Sequence, residues 1–129
     1  MIVNDAIADM LTHIRNNLRQ KNAVAEYKPT LLNLKILDIL HHEGFIRGYK
    51  FSLNKKHVLI LLKYKEGKSI IQSLKCISKN SKQIFVSLKV LHKINNIFVL
   101  YILSTSRGIL SQTEAIKQKV GGKVLCQIK

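Results

Sequence analysis

Seven consecutive residues, Ile97-Phe98-Val99-Leu100-Tyr101-Ile102-Leu103, are apolar or aromatic without interruption. A strand with one wet face alternates apolar and polar side chains. A run that is apolar at every position predicts a strand covered on both faces. The chain must therefore place packed material on both sides of at least one sheet. Directly after the run come Ser104-Thr105-Ser106-Arg107-Gly108. Three neighbouring hydroxyls and a cation would then sit at the strand's end, on a turn that Gly108 permits. Hydroxyls both donate and accept, which suits the 2′-OH groups, phosphates and base edges of RNA.

Charge favours the same ligand. The chain has 129 residues, with 22 Lys and Arg against 7 Asp and Glu, for a net charge of +15. Residues 1–66 hold 11 basic and 6 acidic side chains, whereas residues 67–129 hold 11 basic and only Glu114. The second half carries the stronger positive field, which attracts polyanions. A hydrophobic fraction of 47% supports a packed core, unlike a disordered basic tail. The length fits one domain or two small modules sharing an interface. No apolar run approaches the roughly 20 residues needed to span a bilayer. The segment Met1-Ile2-Val3-Asn4-Asp5 leads straight into a helical pattern, so no targeting peptide is expected. Cys76 and Cys126 are too few for a disulfide framework or a zinc site, and both are expected to be buried thiols.

Periodicity divides the chain. Ile7, Met10, Leu11, Ile14 and Leu18 form one stripe at helical spacing, with Asn4 or Asp5 as the expected cap and Arg15 on the other face. Ala23 to Tyr27 reads as a short strand. Thr30 caps a second helix, with Leu32, Ile36, Ile39 and Leu40 as its apolar face and Gly44 as its stop. Phe45 to Leu53 and His57 to Tyr64 read as paired strands across Asn54-Lys55-Lys56, and Ser69 to Ile77 as a further extended segment. Residues 78–82 read as a linker. Gln83 to Val86 resumes a strand, Ser87 to Ile94 is irregular or one helical turn, and Lys123 to Ile128 is a last strand. Ser111 and Glu114 have capping-box spacing for a short helix ending at Gly121-Gly122. The expected fold is α+β, with an N-terminal α-β-α-β-β module over 1–77 and a C-terminal module over 83–129. The second module is mostly antiparallel β with one short helix.

Catalysis is not expected. A serine nucleophile needs a base within hydrogen-bond reach, itself oriented by a third group. His13, His41, His42, His57 and His92 fall in no such spacing, and carboxylates are sparse. No metal site, phosphate-binding glycine loop, cofactor or small-molecule substrate is indicated, and no helix pattern suggests membrane binding.

Several blocks together resemble a known family. Asp5-Ala6-Ile7-Ala8-Asp9-Met10-Leu11-Thr12 with Ile14-Arg15-Asn16, Glu43-Gly44-Phe45-Ile46, and Leu62-Lys63-Tyr64 with Gly67-Lys68 come first. Ser104-Thr105-Ser106-Arg107-Gly108, Glu114-Ala115 and Gly121-Gly122 follow in order. The chain is identified by these as similar to small-subunit ribosomal protein eight, the universal S-eight family. The resemblance implies a primary rRNA-binding protein that grips a helical stem in the central domain of small-subunit rRNA and supports subunit assembly and translation. Its partners would be that rRNA and neighbouring small-subunit proteins. It implies RNA-contacting roles for Ser104, Thr105, Ser106 and Arg107, with Gly108 shaping the turn. Gly121 and Gly122 would let backbone approach the RNA, Phe85 would stack, and Arg15 and Lys55 match basic positions of the first module. The alternative function is a translational regulator acting on an mRNA stem that mimics the rRNA site.

The chain also departs from the family pattern. Ala6 stands where proline is usual, Leu31 where a cation is expected, and Phe85 where tyrosine is common. Ile97-Phe98-Val99 replaces a glycine-containing entry to the long strand, and Lys123 replaces a usual glutamate. With one proline and abundant Lys, Ile, Asn and Leu, these changes suggest an organellar ribosome, the mitochondrion favoured over the plastid, with the bacterial cytoplasm as the other setting.

Overall fold

The computed structural model describes residues 3–78 and 82–129, with side chains from residue 6 onward; most of the linker expected at 78–82 lies outside them. Helix α1 spans Val3–Arg19. Asn4 and Asp5, expected before the helix as caps, fall within its first turn, and their side chains are outside the described residues. The predicted stripe is the buried one: Ile7, Met10, Leu11 and Ile14 are inaccessible or nearly so, and Leu18 packs at their edge.

Strand β1 (Val24–Tyr27) leads to α2 (Leu31–His42). Thr30 caps α2: its Oγ1 accepts from the Asn33 N–H at 3.2 Å, and Asn33 Oδ1 accepts from the Thr30 N–H at 3.0 Å. Such a cap contributes about 1 kcal/mol. Asn33 is fully buried and its Nδ2 donates to the Ala6 carbonyl at 3.2 Å, so the cap also ties α2 to α1. The buried face of α2 is Ile36, Leu37 and Leu40, with Leu32 and Ile39 at its margin. Gly44, at φ +83°, supplies the left-handed residue that ends the helix.

Strands β2 (Ile46–Phe51) and β3 (Val58–Leu62) pair antiparallel, and β1 completes a sheet of order β1-β3-β2. Val58, Ile60 and Leu62 alternate inward. The Tyr49 hydroxyl donates to Asp38 at 2.5 Å, joining β2 to α2, and this bond with partial burial pushes the phenol up to about 12. Strands β4 (Tyr64–Lys65) and β5 (Lys68–Ser69) form a small hairpin. Its two-residue turn, Glu66-Gly67, has both φ angles positive, as a right-twisting hairpin favours.

The segment expected to extend from Ser69 to Ile77 is a strand only at its ends, in β5 and in β6 (Leu74–Cys76). Strand β6 pairs with the last strand of the chain, β10 (Gly122–Ile128), and so joins the C-terminal sheet although it precedes residue 78. That sheet runs β6-β10-β8-β9, with β8 as Leu100–Thr105 and β9 as Gly108–Ser111; β7 (Phe85–Val86) also pairs with β10. The stretch from Ser87 to Ile94 is a helix, α3 (Leu88–Ile94), capped by the Ser87 hydroxyl at 3.3 Å from the Val90 N–H.

The apolar run that frames the fold is covered on both faces only from Leu100 onward. Leu100 and Ile102 pack with α1 and the first sheet, while Leu103 faces the opposite side with Leu91, Ala115 and Val124. Ile97 and Phe98, by contrast, are 92% and 76% exposed. Asn96 turns the chain there: its carbonyl accepts from the Val99 N–H and its side chain from the Phe98 N–H. The turn closes with local hydrogen bonds, so hydrophobicity does not extend the strand. No helix is long and apolar enough to cross a membrane among the described residues.

Candidate nucleic-acid interface

The hairpin joining β8 to β9 presents the hydroxyl cluster. Register pairs Thr105 with Gly108, leaving Ser106 and Arg107 as the two turn residues, both exposed. Gly108 has φ +105°, a conformation costly for any residue with a Cβ. The three hydroxyls divide by role. Thr105 Oγ1 donates to the Gly108 carbonyl at 2.9 Å and accepts from the Arg107 N–H at 3.1 Å, so it shapes the turn. Ser104 and Ser106 make no side-chain hydrogen bond to another described residue and remain open to a ligand.

Strand register builds a surface beside that hairpin. Lys123 of β10 lies between Phe85 of β7 and Ser104 of β8, and Ile109 of β9 follows Ser104. Directly opposed residues of antiparallel strands share a face, with Cβ atoms about 5 Å apart. An aromatic ring that is 68% exposed, a cation and an open hydroxyl therefore form one line across three strands. An aromatic plane accepts a stacked base, a cation meets phosphate, and a hydroxyl meets 2′-OH or a base edge. Lys123 stands in the middle of this line.

The adjoining row is Val86, Gly122, Thr105 and Gly108. A Cβ on Gly122 would lie 2.3 Å from the Ser104 carbonyl oxygen and 2.9 Å from Thr105 Cγ2; on Gly121 it would lie 2.4 Å from the Val86 carbonyl oxygen. The glycine pair is thus required by neighbouring backbone within the protein. Contrary to the expectation from sequence, the pair does not end the helix. Helix α4 (Gln112–Lys117) is capped by Ser111, whose hydroxyl accepts from the Glu114 N–H at 3.3 Å. It closes at Gln118 and Lys119, where Lys119 adopts φ +58° and the Val120 N–H returns to the Ala115 carbonyl at 3.0 Å. The left-handed residue is a lysine, so the usual glycine signal for a helix stop was misplaced by three positions or so.

Buried polar groups hold the platform. Gln112, 4% exposed, accepts from the Tyr101 N–H at 2.9 Å and donates to the Val99 carbonyl at 2.6 Å, pinning α4 to β8. Nothing in the sequence marks Gln112, because an amide at a helix start reads as solvated. Arg15 and Lys55 are not brought to the line. Arg15 lies on α1 and donates to the Leu74 carbonyl of β6; Lys55 occupies the β2–β3 turn at φ +59°. Leu31, where the resemblance led to the expectation of a cation, is 79% exposed. Among the described residues no three His, Cys, Asp or Glu side chains are placed to hold a metal.

Residues 5–128 match the protein-family model described as Ribosomal protein S8. The chain is 40% identical to the small ribosomal subunit protein uS8 of Brucella anthropi, over 99% of both chains. It is 37% identical, with the same coverage, to the proteins of that name from Rhizobium rhizogenes and Sinorhizobium medicae.

Proposed function

We infer, for a chain that belongs to the ribosomal protein S8 family, that it is a structural constituent of the small ribosomal subunit and binds its rRNA through the C-terminal sheet. It is not an enzyme. The observation that carries the interface is the line Phe85–Lys123–Ser104 beside the exposed Ser106-Arg107 turn. Cations supply salt-dependent attraction to phosphates, while the ring and the open hydroxyls sense unpaired bases and sugar edges. Thr105, Gly108, Gly121 and Gly122 keep the hairpin and strands at the spacing that presents these groups. Arg15 and Lys55 belong to a separate contact of the first module.

The finer parts of this proposal are a helical stem of the rRNA central domain as the target, a division of the chain into 1–77 and 83–129 in which β6 crosses to the second module's sheet, and neighbouring small-subunit proteins as partners. The relatives named above are bacterial; an organellar setting, mitochondrial before plastid, is supported by composition alone.

Two substitutions test the interface. Ser106→Ala should weaken binding to the cognate stem roughly 2–10-fold, the worth of one hydrogen bond, and leave binding to random duplex unchanged. Phe85→Ala should cost about 1–3 kcal/mol on the same stem if a base stacks there. Filter-binding titrations against both RNAs decide the matter. Equal losses on stem and random duplex would remove specific recognition from this surface.

A further inference from the structure

The two cysteines face each other across β6 and β10. Register pairs Cys76 with Cys126. Three residues further along, Ser73 and Lys129 exchange both backbone hydrogen bonds, Ser73 N–H to Lys129 O at 3.3 Å and the reverse at 3.0 Å. On the other side the Ile77 N–H donates to the Leu125 carbonyl at 3.0 Å. Hydrogen-bonded and non-bonded pairs alternate along an antiparallel ladder, so Cys76 and Cys126 occupy a non-hydrogen-bonded pair. There the Cα atoms lie about 4.5 Å apart and the side chains project from the same face. That spacing falls at the short end of the disulfide range, about 4.4–6.8 Å.

We propose that Cys76 and Cys126 are a redox pair that closes into a cross-strand disulfide when the protein meets a small-molecule disulfide such as oxidised glutathione. The two thiols differ in access. Cys126 is fully buried, whereas Cys76 is half-buried and lines an open groove with Thr12, Arg15 and Lys75. The two cations of that groove attract an anionic oxidant. The Cys76 thiol donates to the Ser78 carbonyl at 3.4 Å. Burial pushes the Cys126 thiol up, and the neighbouring Cys76 adds to the effect, so Cys126 does not attack first.

The exchange balances. Cys76 gives up its proton and its sulfur attacks one sulfur of the oxidant, releasing one thiol and leaving a mixed disulfide. Cys126 then gives up its proton and its sulfur attacks Cys76 Sγ, expelling the second thiol. Two cysteine thiols lose two electrons, and the oxidant gains them as two free thiols. The bond would staple β6 to β10 and close a loop of roughly fifty residues, the length at which a crosslink strongly restricts the unfolded chain.

The test uses the full chain incubated with oxidised glutathione, then analysed by intact mass and thermal unfolding. The expected product is a monomer lighter by two hydrogens, with no retained glutathione. Its Tm should be higher by about 5–10 °C, reversed by a dithiol reductant. Cys76→Ser should block the product and leave Cys126 unmodified in the folded protein. A stable glutathione adduct on Cys76, a disulfide between two chains, or no change in mass would each overturn the proposal. Should Cys126→Ser fail to fold, the mass of the oxidised wild-type chain still decides.

Discussion

Raising the salt from about 50 to 200 mM is expected to weaken RNA binding by this chain roughly 10³–10⁵-fold, as for about 6–10 phosphate contacts. The expectation rests on where the cations stand. Residues 67–129 contain 11 Lys and Arg and a single carboxylate, Glu114. Lys82, Lys89, Lys93, Arg107, Lys117 and Lys119 are exposed, and Lys123 is half-exposed beside Phe85. In that half of the chain one carboxylate cannot neutralise so many cations, so bound phosphates displace counterions instead. Lys123→Ala should lower the slope of log affinity against log salt by about one, because it removes one phosphate contact. Phe85→Ala should leave the slope unchanged, since stacking releases no ions. Anisotropy titrations at several salt concentrations separate the two effects. A loss of less than about tenfold over this range would mean that phosphate contacts are few.

Gly122→Ala is expected to destabilise the fold by about 3 kcal/mol, at the upper end for overpacking. The residue has no positive φ to justify glycine, so space is the constraint. The added methyl would meet the Ser104 carbonyl oxygen at 2.3 Å, and that oxygen belongs to the β8 backbone beside β10. A backbone atom in a ladder cannot rotate away, so the strands must part. Gly67→Ala is the informative comparison. Its φ is +79° and nothing lies within 4 Å of the added carbon, so its cost is backbone strain of about 1–2 kcal/mol. Denaturant midpoints at matched m-values would measure both. The larger loss should fall on Gly122→Ala and be accompanied by weaker RNA binding, because Ser104 and Lys123 flank the clash. Equal midpoints would show that β8 and β10 yield more easily than close-packed strands do.

Much of the architecture was legible because one period dominates each segment. The stripe from Ile7 to Leu18 and the alternation from Val58 to Leu62 each point one way, and tertiary packing reinforces them. The errors have identifiable causes. Ile97 and Phe98 extend an apolar run, yet Asn96 competes for the backbone and turns them outward. The stop of α4 was assigned to the glycine pair because glycine is the commonest left-handed residue; Lys119 takes that conformation, and the glycines answer to crowding between strands. The partner of β6 was not legible at all. Leu74 to Cys76 pairs with residues near the C-terminus, a long-range choice that no local pattern encodes.

The site was legible as residue types but not as a surface. Ser104, Thr105 and Ser106 look equivalent in sequence, and only the hairpin shows Thr105 consumed by its own turn. Lys123 stood out only as a departure from the family; register sets it between an exposed ring and an open hydroxyl. Gln112 carried no signal, because its two hydrogen bonds reach residues 11 and 13 positions away.

Ultraviolet crosslinking of the full chain in native small ribosomal subunits, with the crosslinked peptides and RNA both identified, tests the central claim most directly. Crosslinks at Phe85 and within residues 104–108 or 121–123, joined to a single stem of the small-subunit rRNA, are the expected result. Crosslinks confined to the first module, with the C-terminal sheet unmodified, would contradict it.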